Sequence, residues 1–222
     1  MTNELIELTI DEWVMKVYQP AGEGPFPVVL LLHGWTGDEN SMWVFGSQLP
    51  NEYMMIAPRA PYFSNHPKYE GYSWVEKRSG EWACLDDFTS SIESLDKLLN
   101  NLANQLPGDF SVINIAGFSQ GAAMSYAYSL RHPDRVKKIV GLAGFVPDKS
   151  EEIAAAKPLT GKPVFIAHGT NDHIVPIAKA VEAKVLMLMA GGVVTYCESD
   201  VGHKLGANCF RGIKEFMPLD SL

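Results

Sequence analysis

The most informative residues of the chain are Gly117, Ser119 and Gly121, which form a GxSxG pattern. An apolar run over 112–116 precedes the pattern, and residues 122–130 after it favour a helix. A serine at such a strand-to-helix turn is held in a strained conformation that projects its hydroxyl clear of the sheet, and flanking glycines let strand and helix approach closely. Small residues in a loop also produce this pattern by chance, but the flanking elements favour Ser119 as a nucleophile.

A serine hydroxyl needs a neighbouring base, and the predicted base is His203. Where this serine turn occurs, the nucleophile, the acid and the histidine follow one another along the chain in that order. Of the six histidines, His203 is the one that follows a plausible acid in a loop at a strand end. We interpret the other five as structural or exposed side chains: His33, His66, His132, His168 and His173.

Two carboxylates compete to orient the imidazole of His203. Asp172 ends a buried strand and precedes residues 174–176, which turn into the next predicted helix. Asp200 lies three positions before His203, where a carboxylate is better placed to cap a turn. We predict Asp172 as the acid that fixes the tautomer of the base, with Asp200 as the alternative.

The oxyanion of a tetrahedral intermediate needs amide donors. One predicted donor is the backbone N–H of Gln120, which directly follows the nucleophile. The second is the backbone N–H of Trp35, in the glycine-flanked loop 34–37 after an early strand. The alternative for this loop is an ordinary glycine turn with an indole packed beneath it.

The elements that must position these residues alternate between strands and helices. An opening antiparallel hairpin is predicted over 5–10 and 13–18. Further strands are predicted over 28–32, 53–57, 112–116, 136–142, 163–167 and 193–197, and helices over 86–106, 122–130, 176–190 and 208–217, with a short helix before residue 49. This alternation predicts an α/β fold with a doubly wound, mostly parallel sheet, which binds ligands at the carboxyl ends of its strands.

The stretch from residue 59 to residue 86 has no clear periodicity and is rich in aromatic side chains. A loop of this length is usually functional or mobile. We expect its aromatics to line an open groove, with Phe63, Tyr72 and Trp74 as substrate-binding residues. The alternative is that they pack on the domain's own surface.

Composition excludes several classes of partner. The 222 residues are 46% apolar and show no composition shift, which predicts a single domain over 1–222. A formal charge of −8 disfavours binding to nucleic acid and to anionic membranes, and no stretch is long enough to span a membrane. The sequence shows no metal-ligand spacing, so neither a metal nor a cofactor is predicted. It does not decide between a monomer and a homodimer.

The three cysteines, Cys84, Cys197 and Cys209, are too few and too irregularly spaced to predict a disulfide framework. The first four residues lack the basic and apolar segments of a signal peptide. Both observations predict a cytoplasmic protein. The sequence does not establish whether any of the three thiols is reactive.

With these sites placed, the chain resembles the phospholipase/carboxylesterase branch of the α/β-hydrolases, which includes acyl-protein thioesterases. The resemblance covers nearly the full length and rests on six segments: 32–37, 57–58, 71–74, 117–121, 168–176 and 202–203. It implies an α/β-hydrolase fold with helices on both faces of the sheet and no separate lid domain. It also carries over Ser119 as nucleophile, Asp172 as acid and His203 as base, with the Trp35 and Gln120 amides as oxyanion donors.

The resemblance implies a serine carboxylesterase that forms an acyl-enzyme with small or apolar acyl esters, with thioesters and lysophospholipids as further candidates. Relatives often have Leu-Gly after the His-Gly pair, whereas this chain has Trp35-Thr36, so we expect a reshaped acyl pocket. Ser119 argues against the dienelactone hydrolases, which use cysteine there. The alternatives are a non-catalytic binding protein on the same scaffold and a peptidase or lactone hydrolase with the same three residues.

Overall fold

A computed structural model describes residues 4–219 of the chain. Its main sheet has eight strands in the order β1-β2-β4-β3-β7-β8-β9-β10, and a separate hairpin pairs β5 with β6. The strands are β1 (Glu4–Ile10), β2 (Trp13–Gln19), β3 (Phe26–Leu32), β4 (Met54–Pro58), β5 (Tyr62–Phe63), β6 (Tyr72–Ser73), β7 (Gly108–Phe118), β8 (Val136–Leu142), β9 (Pro163–Gly169) and β10 (Val193–Ser199). The helices are α1 (Trp43–Gly46), α2 (Thr89–Leu102), α3 (Gln120–Arg131), α4 (Glu151–Ala155), α5 (Ile177–Met189) and α6 (Ala207–Phe216).

The sheet is parallel from β4 through β10, and the opening hairpin β1–β2 joins it antiparallel to β4. Strand β3 lies between β4 and β7, and residues 28–32 are all buried because helices cover both faces of the sheet. The predicted doubly wound, mostly parallel sheet is therefore confirmed.

Two apolar cores lie on opposite faces of this sheet. The larger core packs α2, α3 and α5 on one face, with side chains such as Leu95, Met124 and Met187. The smaller core packs α1 and α6 on the other face, with Phe45 and Ile213. Because α3 is buried along almost its whole length, its first residue is held firmly at the end of β7.

Two segments differ from the sequence-based expectations. The stretch predicted as an irregular loop after β4 contains the short β5–β6 hairpin, whose two-residue strands are too brief to show a period. Helix α4 has five residues and was not predicted, because so short an element carries little periodic signal. The other predicted strands and helices are present, with ends shifted by a few residues.

Cys197 in β10 and Cys209 in α6 form a disulfide bond, with their Cα atoms 5.8 Å apart. This corrects the expectation from irregular spacing, because the turn between β10 and α6 brings the two side chains together in space. Cys84 is a buried free thiol. Residues 1–3, which belong to the signal-peptide argument, lie outside the described residues. Among residues 4–219, none of the helices combines the length and apolarity needed to cross a membrane.

Candidate active site

Ser119 occupies a tight turn between β7 and α3 with φ 55° and ψ −118°, a strained combination for a residue with a side chain. Glycines at two positions make this turn possible. A Cβ on Gly117 would collide with the Gly121 carbonyl, and a Cβ on Gly121 would collide with the Leu32 carbonyl at the end of β3. The serine therefore projects from the carboxyl end of the central strands.

His203 links Ser119 to Asp172 through both of its ring nitrogens. Its Nε2 lies 3.1 Å from Ser119 Oγ, and its Nδ1 lies 2.6 Å from Asp172 Oδ2. In the neutral ring, Nδ1 carries the proton that the carboxylate accepts, which leaves the Nε2 lone pair facing the serine. Such an arrangement can remove the hydroxyl proton as the oxygen attacks.

Backbone donors fix the Asp172 carboxylate in place. Its Oδ1 accepts hydrogen bonds from the N–H groups of Ile174 and Val175, both at 2.9 Å, so Oδ2 is free to face His203. The competing carboxylate, Asp200, instead accepts a hydrogen bond from the side chain of Asn171. Of the two predicted candidates, the structure therefore brings only Asp172 to the imidazole.

The loop after β3 lies directly against the nucleophile. A Cβ on Gly34 would stand 3.2 Å from Ser119 Cβ, which places the Trp35 backbone beside the site. Among the described residues, no backbone carbonyl accepts a hydrogen bond from the Trp35 N–H. The N–H of Gln120 is the first of α3 and has no acceptor within its helix. Both amides are available to an oxyanion.

A buried network ties this loop to α3. The side-chain Oε1 of Gln120 accepts the Trp74 backbone N–H at 2.9 Å, and the Trp74 indole donates to the His33 carbonyl at 2.8 Å. The His33 ring in turn accepts the Ala60 N–H at 2.9 Å, and burial lowers its pKa to about 4, so this imidazole is neutral. The backbone just before the predicted donor loop is thus held by the Trp74 indole, and Trp74 is held in turn by the side chain of Gln120.

A cavity of about 760 Å³ opens at Ser119 and Gln120. Its apolar wall includes six large side chains: Trp35, Phe63, Val75, Trp82, Phe145 and Ile174. Charged residues of both signs, at 76–78 and 81, stand around it. Within the described residues, no group of three or more His, Cys, Asp or Glu side chains is placed to hold a metal ion.

The sequence model of the phospholipase/carboxylesterase family matches residues 15–220. The chain belongs to this family. The family assignment agrees with the resemblance inferred from the motifs, and it makes the chain a hydrolase that acts on ester bonds.

Named relatives and solved structures agree with the assignment. This family member is 31% identical over 204 residues to acyl-protein thioesterase 1 of Schizosaccharomyces pombe, covering 85% of this chain and 88% of the relative. It is 33% identical over 185 residues to acyl-protein thioesterase 1 of Saccharomyces cerevisiae, covering 75% and 77%. The Bacillus cereus carboxylesterase structure matches with a TM-score of 0.77 at 27% identity, covering 93% and 92%.

The three residues predicted to bind substrate in this phospholipase/carboxylesterase member lie in different environments. Phe63 lines the cavity and is 77% exposed. Tyr72 does not line it, because its ring packs between Phe63 and the guanidinium of Arg59. Trp74 is completely buried, so the prediction that it contacts substrate is wrong. Sequence could not reveal this, because burial of an aromatic in an aperiodic loop depends on tertiary packing.

Replacement of Trp74 by phenylalanine tests whether the indole positions the predicted oxyanion loop. Loss of one buried hydrogen bond of about 1 kcal/mol corresponds to roughly a fivefold lower kcat, with KM little changed. Steady-state kinetics with a short-acyl ester would measure both constants. Trp82→Phe is the matched control, because this indole lines the cavity and should alter KM instead. An unchanged kcat in Trp74→Phe would contradict the positioning role.

Proposed function

We propose that the chain is a serine carboxylesterase that hydrolyses small or apolar acyl esters through an acyl-enzyme on Ser119. The observation that carries the proposal is the continuous contact from Ser119 Oγ through His203 to Asp172, at 3.1 Å and 2.6 Å. A protein that only binds a ligand has no need of this chain of contacts.

In the proposed first half-reaction, Ser119 Oγ attacks the ester carbonyl while His203 Nε2 takes the hydroxyl proton. The Asp172 carboxylate stabilises the imidazolium, and the amides of Trp35 and Gln120 donate to the oxyanion. Collapse of the tetrahedral intermediate breaks the bond to the leaving oxygen, which receives the proton from His203. Water then attacks the acyl-enzyme by the same sequence of proton transfers and releases the acid.

The cavity supports an apolar acyl group as the preferred substrate. Its wall beside Ser119 is built from aromatic and aliphatic side chains, and burial of each additional methylene contributes about 0.8 kcal/mol. Trp35 stands on the wall where relatives often have a smaller residue, and Arg78 lies over its ring with 5.6 Å between the guanidinium carbon and the ring centroid. We propose that this indole limits how far an acyl chain extends.

Two measurements test the function. A fluorophosphonate probe should label the protein, because only an activated serine reacts readily with it, and the labelled peptide should contain Ser119. A panel of oxygen esters and matched thioesters of increasing acyl length, extended with a lysophospholipid, a lactone and a peptide substrate, should then show the highest kcat/KM for an apolar acyl ester. Absence of labelling would favour the non-catalytic binding protein, whereas preferred cleavage of the peptide or lactone would favour those alternatives.

Thioester hydrolysis is the second candidate activity, because relatives named acyl-protein thioesterase match most of the chain. The thioester arm of the panel decides between the two leaving groups. Cytoplasmic location, a single domain and the lack of nucleic-acid binding remain predictions from the sequence, which does not decide between a monomer and a homodimer. The Cys197–Cys209 disulfide argues against a strongly reducing location, since such bonds persist mainly in oxidising compartments.

A further inference from the structure

His168 lies one residue before the end of β9, and its imidazole is completely buried beside Asp172. Its Nε2 is 2.8 Å from the Val175 carbonyl oxygen and 3.4 Å from Asp172 Oδ2. Asp172 Oδ2 therefore faces two imidazoles, those of His203 and His168. Nothing in the esterase mechanism described above uses the second one.

The contact with Val175 fixes the tautomer of the His168 ring. A carbonyl oxygen can only accept, so the ring carries its proton on Nε2 and donates it to Val175. The same residue, Val175, donates its own N–H to Asp172 Oδ1 at 2.9 Å. His168 therefore fixes the 174–175 turn through the Val175 carbonyl, and the N–H groups of the same turn fix the Asp172 carboxylate.

The surroundings keep the ring neutral. Its Nδ1 is buried and has no hydrogen-bond partner among the described residues, so protonation there would create an unpaired buried N–H. The charged or titratable groups that face the ring are Asp172, His203 and Glu198 on the neighbouring strand β10. Burial outweighs the two carboxylates and lowers the pKa of His168. His203 is consequently the one of the two imidazoles that can take up the serine proton.

We propose that His168 is a positioning residue of the reaction, a neutral imidazole that holds Val175 and thereby aims the Asp172 carboxylate at His203. The inference rests on the proposed function, because the aim of the carboxylate matters only if His203 acts as a base. Its physical effect is to keep Oδ2 at hydrogen-bond distance from His203 Nδ1 throughout the catalytic cycle.

The test compares His168→Gln with His168→Asn. The amide nitrogen of glutamine reaches the position of Nε2 and can still donate to Val175, whereas asparagine is one methylene shorter and cannot. We expect His168→Asn to lower kcat per folded molecule by roughly 10- to 100-fold, the range for small misplacements of catalytic groups, with KM nearly unchanged. Its kcat/KM acid limb should move to lower pH, because His203 loses part of its anionic partner. His168→Gln should restore most of both properties.

A matched control is His132→Gln, which alters a histidine at the far end of α3, about 20 Å along the helix from Ser119. It should leave the pH profile unchanged. Equal behaviour of the Asn and Gln variants, or an unmoved acid limb in His168→Asn, would overturn the proposal. Circular dichroism and thermal unfolding of each variant separate loss of positioning from loss of folded protein.

Nitrogen NMR of the wild-type protein provides a readout independent of turnover and of variant folding. We expect His168 to be the neutral Nε2–H tautomer at the pH of the kinetic assays, because its Nε2 faces the Val175 carbonyl oxygen. We also expect a low-field proton resonance from His203 Nδ1–H that weakens in His168→Asn. An Nδ1–H tautomer or a charged ring at His168 would refute the inference, whereas absent wild-type turnover with these signals present would refute only the proposed function.

Discussion

Replacement of Ser119 by alanine should lower kcat by about 10⁴- to 10⁶-fold on any ester that the wild-type protein cleaves. The expected loss is large because the substitution removes the attacking oxygen that lies 3.1 Å from His203 Nε2. The amide donors and the cavity remain, so a small residual rate above the uncatalysed reaction should persist. Steady-state hydrolysis of a chromogenic short-acyl ester measures the change.

Ser129→Ala is the matched control for this experiment. Ser129 lies on α3, the helix that follows Ser119, and donates to the Ser125 carbonyl, but it is buried and does not line the cavity. This control should lose some thermal stability and keep its kcat per folded molecule. Retention of activity in Ser119→Ala, with an unchanged melting temperature, would refute the assignment of the nucleophile.

The second large effect is expected from Asp172→Asn, which should lower kcat by about 10⁴-fold. Because Asp172 Oδ1 accepts two backbone N–H groups, the amide oxygen of asparagine should occupy that position and turn its NH2 group towards His203. That group would donate to Nδ1 and force the ring proton onto Nε2. The ring could then no longer accept the proton of Ser119, although its place in the structure would hardly change.

Asp200→Asn provides the comparison for this second variant. Its carboxylate binds the side chain of Asn171 and not the imidazole. An exposed polar contact of this kind contributes well under 1 kcal/mol, so we expect kcat to change by less than about threefold. Measuring kcat and KM for both aspartate variants on one ester distinguishes the two carboxylates. A larger loss in Asp200→Asn than in Asp172→Asn would exchange their roles.

The local features of this protein were predictable because they depend on neighbouring residues. The turn at Ser119 follows from two glycines in a fixed pattern, and the alternating strands and helices follow from apolar periodicity. The family was also accessible from the sequence, since its motifs extend over most of the chain. The proximity of Asp172 to His203 agrees with the predicted order, and their catalytic roles await the experiments above.

Features that join distant segments were not predictable in the same way. The role of Trp74 depends on the His33 carbonyl, which lies 41 positions earlier in the chain. The sequence indicates only a structural or exposed role for His168, because its contacts with Val175 and Asp172 are visible only in the structure. The Cys197–Cys209 bond depends on the direction in which α6 leaves the sheet. The sequence offered one signal for this second imidazole: His168 lies near the end of a buried strand, four residues before the predicted acid Asp172.

The disulfide has a consequence for how the protein behaves in concentrated solution. Strand β10 is the last in the sheet order and has a neighbour on one side, β9, so its other side presents backbone groups that could pair with another chain. The bond to α6 fastens this outer strand to a helix packed on the sheet and restrains it from peeling away. We therefore expect reduction of the disulfide to loosen this outer strand and to make the protein more prone to intermolecular pairing.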